Sequence, residues 1–222
     1  MNEHPWMKNL FAALSVTAAI CLAPHALAAS TAELAVKGLI TPLACTPTLS
    51  NAGLVDFGKI SRLDLNVDRR TRLRDQALYL SIHCNAPGRF ALRMQDNREG
   101  SAIVNSQIYY GLNLDGSGNR IGLYSLNFDP ANTVVDRLPQ VFRTDSTTGG
   151  VAWSTSNSRP LPISARSYLG FTDRAGSTAG PIAIYHLVSR VIVETVIAPT
   201  SELDLSSEVQ IDGSATLEVV YL

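Results

Sequence analysis

An excess of charge is the first thing this chain lacks. Eighteen Lys and Arg stand against nineteen Asp and Glu, a formal net charge of −1. Without a basic surplus there is no electrostatic footprint for nucleic acid or an anionic membrane. Catalytic side chains are also scarce, with three cysteines and four histidines in all. No HExxH or paired-cysteine spacing offers a metal site. No Gly-x-Ser-x-Gly elbow occurs, since Gly176-Ser177-Thr178-Ala179-Gly180 has its serine out of place. The turn at Asp115, Ser117 and Asn119 has the start of a calcium loop. It then puts Arg120 where the loop needs glycine and Leu126 where it needs glutamate. The chain is therefore expected not to be an enzyme, and to use no cofactor and no metal.

What is present begins with a leader. Lys8 supplies a positive start, Leu10 to Ala23 an apolar run short for a membrane span, and Pro24 a helix break. Ala26-Leu27-Ala28 is a small-x-small cleavage site, so residues 1–28 read as a signal peptide and the protein as exported. Ile20 before Cys21 argues against lipidation. Cleavage after Ala28 removes His4, His25 and Cys21. Cys45 and Cys84 remain as an even pair, which in an oxidising compartment reads as a disulfide. His83 and His186 remain as surface or satisfied side chains, and no free thiol is left for nucleophilic work. No other long apolar run follows.

Leu, Val, Ile and Ala recur in short alternating runs punctuated by Gly, Asn, Asp, Ser and Pro, the pattern of an all-β sandwich or barrel. Leu34, Val36, Gly38 and Ile40 share one parity and predict a first strand. Val55-Asp56-Phe57-Gly58 predicts a short second one. The Arg-rich stretch from Ser61 to Asp75 reads as a solvated loop or edge, because Asp64, Asp68 and Asp75 interleave Arg62, Arg69, Arg70, Arg72 and Arg74. Leu78, Leu80, Ile82 and Cys84 alternate, which points Cys84 inward to meet Cys45 and His83 outward. Phe90, Leu92 and Met94 form the next run, then Ile108, Tyr110, Leu112 and Leu114, then a hairpin turn at Asp115 to Asn119. Asp129 to Arg159 reads as a surface excursion in which Trp153, with Tyr168 nearby, could stack on a sugar ring, although Trp is more often a packing residue. Leu161, Ile163 and Ala165 resume a strand, at an edge because of Pro160 and Pro162. Pro181 to Ile197 is ambiguous. Ile184, Leu187, Val188 and Val191 fit a helix, while the β-branched Val191-Ile192-Val193 favours a strand. Asp212-Gly213 reads as a tight turn opening the final run.

That final run, Ala215 to Leu222, alternates to the very end of the sequence. A last strand either pairs within its own sheet or leaves an edge for another molecule. The order of the motifs favours the second reading. Leu34 to Cys45 resembles the N-terminal extension and first cysteine of chaperone–usher pilins, and Val55 to Ile60 the strand that follows. Leu80-Ser81-Ile82-His83-Cys84 is similar to their second cysteine strand, and Leu161 to Arg166 to a late strand. Ala215 to Leu222, with penultimate Tyr221, is similar to the C-terminal strand. More narrowly, Gly38-Leu39-Ile40-Thr41-Pro42 and Leu217-Glu218-Val219-Val220-Tyr221-Leu222 resemble the fimbria-associated domain-of-unknown-function family 1120.

The resemblance implies an incomplete immunoglobulin-like, pilin-type β-sandwich at residues 42–222, with one disulfide, preceded by an extension at residues 29–41. It implies a structural subunit of a cell-surface fimbria, assembled by donor-strand exchange, with an additional role in adhesion. Leu34, Val36, Gly38 and Ile40 would be the donor strand. Leu217, Val219, Tyr221 and Leu222 would form the strand met by the chaperone and the wall of the acceptor groove. The implied partners are a periplasmic chaperone, an outer-membrane usher, other fimbrial subunits and a host glycan or protein receptor. The alternative is a self-contained periplasmic or secreted binding module, whose N-terminal strand folds back into its own sandwich.

Overall fold

The computed structural model describes residues 32–222; the expected leader and residues 29–31 of the expected extension lie outside them. The chain divides at Thr41/Pro42 into two units. Residues 32–41 hold no regular secondary structure, so the strand expected at Leu34 to Ile40 is not formed within the protomer. A strand is defined by a ladder, and this segment has no ladder partner among the described residues. Leu34, Val36 and Ile40 are 89%, 90% and 100% exposed.

The second unit is an all-β sandwich. Its strands are β1 (Cys45–Leu49), β2 (Thr71–Arg72), β3 (Gln76–Asp96), β4 (Tyr110–Gly111), β5 (Gly122–Val135), β6 (Phe142–Ser146), β7 (Leu161–Pro162), β8 (Tyr168–Thr172), β9 (Ala183–Ile197) and β10 (Ala215–Tyr221). One long strand serves both layers. The first half of β3 lies between β1 and β9, and its second half lies between β10 and β8. The first layer continues from β9 to β5 and β4, and the second from β8 to β6. The pairs named here are antiparallel.

Alternation explains β3 throughout. Leu78, Leu80, Ile82, Cys84, Phe90, Leu92 and Met94 are all buried. Cys45 lies directly opposite Cys84 and forms the disulfide with it. The two runs read separately in the sequence are one strand, with its register on β9 shifting between His83 and Gly88 where it passes from one layer to the other.

The same shift explains the ambiguity at Pro181 to Ile197, which is strand over Ala183–Ile197. Ile184 is buried on one side of the irregularity, and Leu187, Val191 and Val193 on the other. A bulge slides the parity by one residue, so an i, i+3 spacing that imitates a helix arises within a strand.

The excursion expected at Asp129 to Arg159 is corrected in the same way. β5 runs on to Val135 through a register shift between Phe128 and Thr133, and the inward parity changes from Leu126 and Phe128 to Thr133 and Val135. The Asp129 carboxylate holds that bulge, accepting from the Ala131 N–H at 2.9 Å and from Asn132 Nδ2 at 2.7 Å. β6 lies in the segment as well. Its Arg143 side chain is 1% exposed, ion-paired with Asp145 and donating to the carbonyls of Leu161 and Phe128. A buried guanidinium is tolerated because its donors are met.

Three further expectations change. Val55 to Gly58 belongs to no ladder and is an unpaired segment after a short 3-10 turn at Ser50–Gly53. Asp212-Gly213 is not a tight turn. Gly213 is needed for close approach instead, since a Cβ there would stand 2.9 Å from atoms of Leu112 and Tyr124. The run at Ile108 to Leu114 is strand only at Tyr110–Gly111. The turn at Asp115 to Asn119 forms, with the Asp115 N–H donating to the Asn119 carbonyl at 2.8 Å. Among the described residues, no helix is long and apolar enough to cross a membrane.

Candidate functional site

β1 and β10 each pair with β3 and with no other strand among the described residues. β1 begins and β10 ends at one corner of the second unit, where the Cys45 N–H donates to the Tyr221 hydroxyl at 2.7 Å. Away from that corner β1 lies along residues 80–84 of β3 and β10 along residues 90–96, so each follows a different layer. Each therefore presents a free edge of backbone N–H and C=O groups.

A cavity of about 440 Å³, lined mainly but not only by apolar residues, opens where the two layers part. Leu49, Leu54, Val55 and Phe57 line one side, and Ile211, Ala215 and Leu217 the other. The floor is the core itself: Leu78 and Met94 of β3, Tyr124, Leu126 and Phe128 of β5, Val191 and Val193 of β9. Leu80, Ile82, Leu92 and Leu169 elsewhere in the core are fully buried, whereas Leu78 and Leu126 on this floor keep 8% and 7% exposure. The rest of the floor is buried like the core around it, with Phe128 at 1% and Val191 at 3% exposure.

A second cavity, of about 730 Å³, shares Val55, Phe57 and Ile211 with the first. It is lined further along by Ile60, Leu65, Ile121, Ile197, Leu203 and Val209. Together they form a groove. Its rim residues Leu49, Val55, Val209, Ile211, Ala215 and Leu217 are packed against the core yet only partly buried. Wetting this much apolar surface costs roughly 25 cal/mol for each Å² left uncovered.

Tyr124 and Asp212 are the titratable side chains lining the first cavity, while Asp56, Lys59, Arg62 and Glu208 line the second. The Tyr124 phenol is stacked on that of Tyr110 at 5.2 Å. Burial, with Asp96 adding to it, raises the pKa of both, so both stay neutral. The Asp212 carboxylate is taken up by Arg98 at 2.6 Å and by Asn113 Nδ2 at 3.1 Å. The hydrogen bonds from Arg98 lead in holding it below the ordinary carboxylate range. Among the described residues, no group of three or more His, Cys, Asp or Glu side chains could hold a metal ion.

The residues singled out from the sequence fall around this groove unevenly. Leu217 lines it directly, and Val219 is half-buried on the same face of β10. Tyr221 closes its corner through the hydroxyl. The backbone N–H of Leu222 donates to the Arg89 carbonyl at 3.1 Å, and its side chain lies over Gly150 beside Trp153 and Tyr168. Trp153 is a packing residue here. It lies over Gly180, where a Cβ would stand 2.7 Å from the indole nitrogen, and its indole N–H donates to the Gly150 carbonyl at 3.1 Å. Sequence reasoning missed the far rim, Val209 and Ile211. The odd-residue parity of Leu217 and Val219, carried back past Gly213, was the signal for them.

Fold and groove together define a class: an all-β sandwich with a groove between two strands that each have one strand neighbour among the described residues. Residues 34–125 match the family described as "Protein of unknown function (DUF1120)". The chain is similar to Protein GltF of Escherichia coli (strain K12), 25% identical over 246 residues covering 93% of this chain and 97% of that protein. It is also similar to Uncharacterized protein YhcF of the same organism, 25% identical over 239 residues covering 94% and 98%.

Proposed function

We propose that this protein is an exported structural subunit of a cell-surface fimbria, of the pilin type, whose groove is completed by a strand from another molecule. The observation that carries the proposal is the open groove between β1 and β10, floored by core residues. The same chain supplies an occupant of the right pattern, with Leu34, Val36 and Ile40 alternating and exposed. In this reading a periplasmic chaperone first lends a strand, and the extension of a neighbouring subunit delivered at an outer-membrane usher then replaces it. Backbone bonds to the free edges supply affinity, and the alternate side chains set the register. Each of the three apolar side chains contributes roughly 1.5–3 kcal/mol on full burial. Gly38 would face the shallowest part of the floor.

The test is a synthetic peptide of residues 32–41 added to the full chain. We expect a saturable rise in melting temperature, because a ligand that binds only the folded state stabilises it by mass action. The same ten residues in scrambled order should give none. A melt indifferent to the native peptide rejects the proposal and favours a self-contained binding module.

A further inference from the structure

Histidine occurs twice in the described chain, at 83 and 186, and the fold sets the two side by side. His83 of β3 lies directly opposite His186 of β9. Their ring centroids are 6.0 Å apart, with the planes at 61°. His83 is exposed and His186 partly exposed, while Ile82, Cys84 and Leu187 beside them are fully buried. The row continues across the sheet. Thr46 of β1 lies opposite His83, and the Asp136 N–H donates to the His186 carbonyl at 2.9 Å. The Asp136 carboxylate is fixed there, accepting from the His186 N–H at 2.7 Å and the Tyr185 N–H at 3.2 Å. The Tyr185 ring meets His83 edge-on at 4.8 Å.

We infer that His83 and His186 form a two-imidazole binding site for a divalent late first-row transition ion, with Cu²⁺ bound most tightly. Imidazole is a ligand shared by copper, nickel and zinc, and affinity at nitrogen sites peaks at Cu²⁺. A metal–nitrogen bond of about 2.0–2.1 Å puts each ring centre roughly 3.2 Å from the ion, so two rings on one ion have centres at most about 6.4 Å apart. The observed 6.0 Å lies within that limit. Neighbouring strands hold the two rings together before any ion arrives, so the second bond forms as an intramolecular step. The negative charge of Asp136 beside His186 favours a cation further. The pair supplies two nitrogens, and water completes the coordination. The site lies on the outer face of the β1–β3–β9 layer, while the groove is floored by the inner face, so the inference does not depend on strand addition.

The test is titration of the chain without the leader, residues 29–222, which carries His83 and His186 but not His4 or His25, with CuCl₂ and NiCl₂, followed by calorimetry and, for copper, by electron paramagnetic resonance. The wild type should bind one Cu²⁺ with a two-nitrogen hyperfine pattern. His83→Ala and His186→Ala should each weaken binding by about tenfold or more and leave one nitrogen, as expected when an intramolecular partner is lost. At a given Cu²⁺ concentration the melting temperature of the wild type should rise more than that of either variant, while the metal-free melts stay the same. Copper bound equally well by either variant, or a wild-type signal with a single nitrogen, overturns the inference.

Discussion

Val36→Asp separates the strand-addition proposal from its rival most sharply. Val36 is 90% exposed in a segment with no regular structure, so its replacement should leave the protomer's own stability within about 0.5 kcal/mol. In another molecule's groove the same side chain would be buried against residues such as Leu126 and Val193. Losing that burial costs about 1.5 kcal/mol or more. Setting a carboxylate on an apolar floor costs at least as much again. The sum is about 3 kcal/mol per junction, close to a hundredfold in association at 1.4 kcal/mol per factor of ten. Sedimentation velocity across a concentration series reads the association, and a urea melt reads the protomer. We expect association to fall by about that factor with the urea midpoint unmoved. Unchanged association refutes the reasoning. So does a lowered midpoint, which would make Val36 part of the protomer's own core.

Two other outcomes follow from the second unit. Cys84→Ser opens a disulfide that spans 39 positions, so non-reducing urea melts should show a loss of about 4 kcal/mol by the chain-entropy estimate; an unchanged midpoint would count against it. Asp115 is 8% exposed. Removal from water raises its pKa, but backbone N–H groups of Asp204, Asn119 and Ser117 and the Asn119 amide outweigh that and bring it to about 2. A depressed carboxylate stabilises the fold above its unfolded pKa near 3.9 and loses that contribution as pH falls towards its folded value. The urea midpoints of the wild type and Asp115→Asn should therefore differ at neutral pH and converge between about pH 4 and about pH 2; a constant gap would contradict the assignment.

Much of the sandwich was legible because burial follows parity. The even residues of β3 and the odd residues of β10 announced their inner faces, and the cysteine pair its cross-link. Legibility failed where a bulge moved the parity. Phe128 to Thr133 hid half of β5, and Ile184 to Leu187 made β9 resemble a helix. Val55 to Gly58 has strand composition but no neighbour, and composition says nothing about neighbours. Gly213 was misread because close packing and turning both call for glycine.

By itself the sequence determined the β character of the chain, the apolar face of each run and the two cysteines available for a bridge. These are local properties, set by side-chain period and residue type over a few positions. Tertiary structure alone decided that β1 and β10 have one strand neighbour each, that core residues floor the space between them, and that two distant histidines share a rung. Those depend on which strands pair and in what register. That is a contest among all possible non-local contacts, and one residue of slip reverses every side chain.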